Sequence, residues 1–377
     1  MRVLLTRGGN AALLPYLHRP PSARRALTTV AAAAPPQQSR RHHHQLDICE
    51  SCYRPERFSV RGNGDGRKES VVVVMGATGT GKSKLSIELS TLFAGEVVNA
   101  DKIQVYRGLD TTTNKMPAAE RHGVAHHLLG DLDPAAGELS PSVFREMAAR
   151  AIAEIAGRGR VPVVAGGSNS FIYAAMAGRY DPGWSPFEAG WRRRMRRREA
   201  ETLRHRCCFL WVDVDAATLA EQLDRRVDEM LAAGMVEELA RYFEEEEAAE
   251  AGETRHPGLS KAIGVAEFRE YFRGERRGAT AAYEAAVAAI KANTRRLAQE
   301  QVRKIERLEE MGWPLRRVDA TAAVAARLAG SAAEVEAAWE RDVAGPGAAA
   351  VEQFLDEGIE NLRHNRRIVP SSSLLYT

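Results

Sequence analysis

The 377-residue chain is 44% hydrophobic and 27% charged, a globular composition long enough for one large or two small domains. Its 53 basic and 50 acidic residues leave a formal charge of only +3, so nothing global demands nucleic acid or membrane as a partner. No stretch approaches the roughly 18 uninterrupted apolar residues of a spanning helix, which makes a soluble protein without a membrane partner the expectation.

Residues 1–46 hold seven Arg, no Lys and no acid, and are rich in Ala, Pro and Ser. The apolar stretch "LLTRGGNAALLPYL" is broken by Arg, Gly and Pro, unlike a secretory signal. Residues 1–66 are therefore read as a transit peptide and disordered leader, with a plastid as the destination and a mitochondrion as the alternative. Cys49 and Cys52 form a CxxC pair within this region, with no second Cys or His pair at zinc spacing to make a metal site.

The folded part begins near Val71 with "VVVVM", the β-branched run of a parallel strand buried on both faces. It is followed by Gly76-Ala77-Thr78-Gly79-Thr80-Gly81-Lys82-Ser83, which satisfies the phosphate-loop spacing G-x-x-x-x-G-K-[ST]. A helix from Ser83 to Phe93 then carries Leu85, Leu89, Leu92 and Phe93 at helical spacing. In such a loop backbone N–H groups and a helix N-terminus point at an anion, Lys82 supplies charge and the Ser83 hydroxyl can hold Mg²⁺. The pattern specifies a diphosphate-like ligand and says nothing of what is attached to it.

"EVVNA" is a second strand, ending at Asp101, whose carboxylate is open to three readings: magnesium ligand, general base, or structural cap. His126 and His127 resemble metal ligands, but neighbours in extended chain point to opposite sides. A helix with Phe144, Met147, Ala151, Ile152 and Ile155 on one face precedes a third strand, "VPVVAGGSNS". "WRRRMRRREAETLRHR", residues 191–206, is either a solvated face or an attractor of polyanions. "CCFLWVDV" is a fourth strand with Cys207 and Cys208 as core thiols.

Beyond residue 215 the chain reads helical, with Leu219, Leu223, Val227, Met230 and Leu231 on one helix and residues 285–308 forming another. "EEEEAAEAGE" reads as an exposed linker, and the Ala-rich part after Asp319 carries no chemical signal. Alternating strands and helices predict an α/β fold, a P-loop NTPase-like three-layer arrangement with a mostly parallel sheet and a helical C-terminal part. Its domains are expected at 67–320, catalytic, and 321–377, an Ala-rich helical end. Ligands bind beyond the carboxyl ends of such strands, so the phosphate loop, Asp101 and Gly166–Ser170 are expected to share one crevice.

The blocks "GATGTGKSKLSIELS", "NADKIQVYRGLDTTTNK", "GVAHHLLG", "VPVVAGGSNSFI", "CCFLWVDV", "RVDEMLAAGMVEEL", "KAIGVAEF" and "KANTRRLAQEQVRKI" resemble, in order, those of the plant adenylate isopentenyltransferases of cytokinin biosynthesis. The resemblance runs from about Val71 to Leu308. It implies transfer of a dimethylallyl group from dimethylallyl diphosphate to the adenine amine of ADP or ATP, with AMP a further candidate acceptor, and with Mg²⁺ as cofactor. The phosphate loop would then hold the prenyl diphosphate, with Lys82 and Asp101 catalytic. Lys261 matches a family position near the acceptor's phosphates, and Arg296 occupies a place where relatives often carry Lys.

Two departures concern local geometry: Ala125 replaces a usual proline, and "NTRRLAQE" differs from "NTCKLA". The related tRNA dimethylallyltransferases are a rival reading. They typically read "ADSxQVYxGxDIGTAKP" where this chain has "NADKIQVYRGLDTTTNK", and no Cys follows Cys208 to build the zinc finger many eukaryotic versions carry. A kinase that spends ATP on a small molecule would use the same phosphate loop, as would a nucleotide-binding module without turnover. Small-molecule partners without nucleic acid are expected; no feature sets the oligomeric state, and a monomer is the default.

Overall fold

The computed structural model describes residues 68–191, 202–248, 256–273 and 278–368, with 361–368 described by backbone alone. The leader, the Cys49–Cys52 pair and most of the arginine run lie outside the described residues. In chain order the elements are β1 (Ser70–Gly76), α1 (Lys82–Leu92), β2 (Gly95–Asn99), β3 (His126–His127), α2 (Pro141–Gly157), β4 (Val161–Gly166), α3 (Asn169–Met176) and β5 (Arg206–Asp213). After them come α4 (Ala216–Ala232), α5 (Met235–Glu247), α6 (Arg269–Arg273), α7 (Thr280–Glu310), β6 (Leu315–Asp319), α8 (Thr321–Ala329), α9 (Ala332–Trp339) and α10 (Gly345–Ile368).

The strands form one parallel sheet in the order β3-β2-β4-β1-β5-β6. The central strand pairs Val73 with Val164 of β4 on one side and with Phe209 of β5 on the other. Val71 to Met75 are fully buried, because successive side chains alternate between two covered faces. Val71, Val73 and Met75 join Phe144, Phe171 and Ile305 in one apolar cluster, under α2, α3 and α7. Val72 and Val74 join Leu85, Leu219, Trp339 and Val351 in the other, under α1, α4 and the C-terminal helices.

Two strands exceed the sequence reading. β3 is two residues long, too short for periodicity to register, and the solvent-facing edge strand β6, "LRRVD", buries only Val318. Within α1, Leu85 and Leu89 are buried, as is Phe93 just beyond it, but Leu92 is exposed. The linker reading also needs correction at its start, since Glu244 to Glu247 complete α5. Ser140 accepts a hydrogen bond from the Val143 N–H and Pro141 opens α2, so that helix starts where its capping residues dictate. Both thiols pack as expected of core groups. Burial pushes the Cys207 and Cys208 pKa values up to about 12 and about 11.

Candidate active site

The phosphate loop leaves the end of β1 and enters α1 without any side chain capping that helix, so its first N–H groups remain free to meet an anion. Thr78, Gly79, Thr80, Gly81, Lys82 and Ser83 line a crevice of about 400 Å³. Gly76 and Ala77 do not line it; they lie underneath. A Cβ on Gly76 would stand 2.3 Å from the Val212 carbonyl oxygen, while the buried Ala77 carbonyl accepts from Thr80 Oγ1 at 3.0 Å and Lys82 Nζ at 2.5 Å. The Thr78 N–H donates to Gln301 Oε1 of α7 at 2.8 Å. Burial, reinforced by the nearby Arg226 guanidinium and opposed by Asp101, brings the Lys82 pKa down to about 7.

Asp101 follows β2 into the same crevice, where its carboxylate caps the turn that comes next. Its Oδ1 accepts from the Ile103 and Gln104 N–H groups at 2.9 and 3.2 Å, the side-chain-capped turn typical of Asp, which fixes the carboxylate. Both bonds fall on Oδ1. The end of β4 reinforces the position: a Cβ on Gly166 would lie 2.2 Å from the Ala100 carbonyl oxygen, and the Lys102 N–H donates to Ser168 Oγ at 2.9 Å. The rest of the "NADKIQVYRGLDTTTNK" block is mainly framework. Glu238 of α5 accepts from the Thr111 and Thr112 N–H groups and the Thr112 hydroxyl. Buried Lys115 is held by Asp110 at 2.7 Å.

A second cavity of about 410 Å³ shares Thr78, Asp101, Gln104, Arg226 and Gln301 with the first and continues past Ser168, Thr294 and Lys304 to Lys261. Lys261 therefore reaches the crevice. There it shares the Glu138 carboxylate with Lys102, and the two ammonium groups hold the Glu138 pKa down to about 2. Glu138 is itself placed by Tyr106, whose hydroxyl donates to Gly137 and accepts from the Leu139 N–H. Arg296 does not join Lys261. It is exposed and lines neither cavity, because Thr294, Leu297, Gln301 and Lys304 form the crevice face of α7 and position 296 turns away from it.

Arg226, on α4, was not singled out by the sequence reading. It lines both cavities and a third of about 730 Å³, and burial lowers its pKa against the opposing Asp101 charge. Its only sequence signal was its place at the head of "RVDEMLAAGMVEEL", where one arginine among many on a helix draws no notice. His127 Nε2 lies 2.7 Å from Glu96 and His126 Nδ1 2.9 Å from the Val124 carbonyl. Among the described residues no group of three or more His, Cys, Asp or Glu is placed to hold a metal ion. Ser83 and Asp101 offer hard oxygens on the same crevice, which fits Mg²⁺ carried mainly by substrate phosphates. No helix among the described residues is long and apolar enough to cross a membrane.

A strand–phosphate loop–helix unit on a parallel sheet, facing a capped carboxylate and backed by a helical C-terminal part, defines a P-loop type α/β protein. The IPP transferase family profile matches residues 104–203 and 186–307. The chain is 48% identical over 300 residues to the adenylate isopentenyltransferase of Humulus lupulus, covering 75% of this chain and 90% of that one. It is 45% identical over 300 residues to the chloroplastic adenylate isopentenyltransferase 1 of Arabidopsis thaliana, covering 77% and 82% of the two chains. The mitochondrial adenylate isopentenyltransferase 7 of the same plant is 39% identical over 293 residues, covering 76% and 80%. Among solved structures, a eukaryotic dimethylallyltransferase acting on tRNA aligns with a TM-score of 0.61 at 24% identity, covering 77% of this chain and 80% of that one. The chain belongs to the IPP transferase family, on its adenylate isopentenyltransferase branch.

Proposed function

We propose that the protein transfers the dimethylallyl group of dimethylallyl diphosphate to the exocyclic amine of adenine in ADP or ATP, releasing pyrophosphate, as the first step of cytokinin biosynthesis. AMP is a further candidate acceptor. The observation that carries this reading is one crevice with the phosphate loop at one end, Asp101 in the middle and Lys261 at the other. It suits two phosphorylated substrates meeting at a carboxylate. The amine nitrogen forms a bond to the allylic carbon as the carbon–oxygen bond to diphosphate breaks. The electron pair of that bond leaves with pyrophosphate, stabilised by the loop amides, Lys82 and Arg226. Asp101 takes the proton through the oxygen not engaged in capping. Mg²⁺, when bound by the diphosphate and Ser83, supplies further charge to the leaving group.

Lys102 and Lys261 favour an acceptor with more than one phosphate, which would displace Glu138 from its two ammonium partners. The plastid is the proposed location, supported by the acid-free, Arg-rich residues 1–46 and by the chloroplastic name of a relative. The test is to incubate a chain beginning at residue 67 with dimethylallyl diphosphate, Mg²⁺ and AMP, ADP, ATP or tRNA in turn, and to identify products by mass. Prenylated ADP and ATP support the reading. Prenylation of tRNA alone would overturn the acceptor, and ADP appearing in step with a phosphorylated product would reveal a kinase.

A further inference from the structure

The phosphate-loop spacing by itself suits a nucleoside diphosphate or triphosphate as well as a prenyl diphosphate, so something else must choose between them. That choice is written in the C-terminal helices, beyond the residues the family profile matches. Trp339, the last residue of α9, is buried against the loop, and a Cβ on Gly81 would lie 2.7 Å from ring carbons Cη2 and Cζ3. Gly81 has φ +95°, so both its conformation and the ring exclude a side chain.

The indole is held by two side chains of α1. Its N–H donates to Glu88 Oε2 at 2.8 Å, Lys84 Nζ stands 4.7 Å from the ring centroid, and Lys84 pairs with Glu336 one turn earlier on α9. Immediately after Trp339 the chain makes a π-helical turn, Glu340–Ala344, an irregularity that alters the register of the helix just where the ring must face the loop. Val335 and Val324 extend the same wall along the crevice.

We propose that Trp339 is a selectivity plug. It closes the Gly81 side of the phosphate loop, so that a substituent on a bound diphosphate can leave only towards Asp101, into the space beside the acceptor's adenine, where a short aliphatic group is accommodated next to the bound acceptor and a second nucleoside is not. This rests on the reading of the loop as the donor site. The plug keeps the acceptor nucleotide out of the donor's seat, a problem peculiar to an enzyme whose two substrates both carry diphosphate.

The test is a binding competition that needs no turnover. Inorganic pyrophosphate is titrated calorimetrically with Mg²⁺ in the presence of saturating AMP, which fills the acceptor end, and uridine diphosphate, which lacks adenine, is used to displace it. The native protein is expected to bind pyrophosphate and to resist displacement. Trp339→Ala is expected to bring uridine diphosphate at least about tenfold closer to pyrophosphate in affinity; this corresponds to roughly 1.4 kcal/mol. Trp339→Leu keeps an apolar residue in the wall and makes the same comparison should the alanine variant not fold. A merely structural tryptophan would lower the melting temperature of both variants while leaving the affinity ratio unchanged, and that result overturns the proposal. Native protein that binds uridine diphosphate as well as pyrophosphate overturns it too, with the donor-site reading intact. Failure to bind pyrophosphate at all removes both.

Discussion

The phosphate loop and the C-terminal helices meet over the same crevice but are made in different ways. The loop acts through backbone: uncapped N–H groups at the start of α1, glycines with positive φ, and two side chains, Lys82 and Ser83. Such a device needs fixed residues at fixed spacing. The wall formed by α8 and α9 acts through shape, with Ala323, Val324, Val335 and Trp339 on the crevice, and Ala323, Val324 and Trp339 also belonging to the core cluster behind it. Apart from Trp339, many apolar sequences would make an equivalent surface. Chemical patterning therefore marks one side of the site and leaves the other unmarked, although both border the same bound group.

The most severe way to break this pairing is to end the chain after Asp319. That removes Trp339, Val343, Val351 and Phe354 from the cluster that covers Val72 and Val74. Their loss exposes a sheet face, so the shortened protein is expected to lose its cooperative melting transition, as circular dichroism would reveal. A folded, active product would mean that the C-terminal helices are accessory.

Asp101→Asn should separate chemistry from framework. Asn still accepts the two N–H groups now bonded to Oδ1, so the melting temperature should hardly change. An amide cannot accept the amine's proton, and turnover should fall by roughly two or more powers of ten. A nearly fully active Asn variant would assign this carboxylate to capping alone.

Lys82→Ala is expected to lower both donor affinity and rate, by about a hundredfold in kcat/KM. The same lysine imposes a pH signature. Its pKa is about 7 in the folded protein and 10.5 in the unfolded chain, so over that interval the unfolded state binds more protons. This group's contribution to stability therefore rises as pH increases from about 7 to 10.5, and Lys82→Met should remove that rise in melting temperature. Pyrophosphate binding to the native protein above pH 7 is expected to take up a proton, measurable calorimetrically in buffers of different ionisation enthalpy.

Smaller effects are expected at the acceptor end. Lys261→Ala should reduce the preference for ADP and ATP over AMP by about tenfold, the scale of a charge-assisted hydrogen bond. Arg296→Ala should leave the acceptor ranking as it is, since that side chain does not line the crevice. The least effect is expected from removing residues 1–66, with turnover and melting temperature preserved and only import lost; a reporter fused to those residues should enter plastids.

Much of this arrangement was legible from residue types. The valine run, the glycine spacing and the strand-end aspartate gave the order β1–loop–α1–β2 and brought Lys82, Ser83 and Asp101 together, because each depends on local chain geometry. Lys261 lines the same crevice, a placement that the family resemblance and not its local sequence pointed to. Arg296 does not line it, because placing a residue on a helix face requires the helix's rotation, and a motif match one turn away does not supply it. Arg226 and Trp339 escaped for a related reason: their roles come from what lies across from them, Asp101 for one and Gly81 for the other, at sequence separations of more than a hundred residues.

Gln301 joins what the two substrates would otherwise keep apart. Its side-chain oxygen holds the Thr78 amide of the loop, its main-chain carbonyl accepts from Asn169 Nδ2, and it sits on the helix that turns Thr294 and Lys304 towards the acceptor. A shift of α7 on nucleotide binding would be passed through Gln301 to the Thr78 amide of the loop. In kinetic language the two substrates should bind interdependently: occupancy at one end should alter the dissociation constant at the other. Gln301→Ala should loosen that linkage, so that each substrate's apparent affinity becomes indifferent to the concentration of its co-substrate.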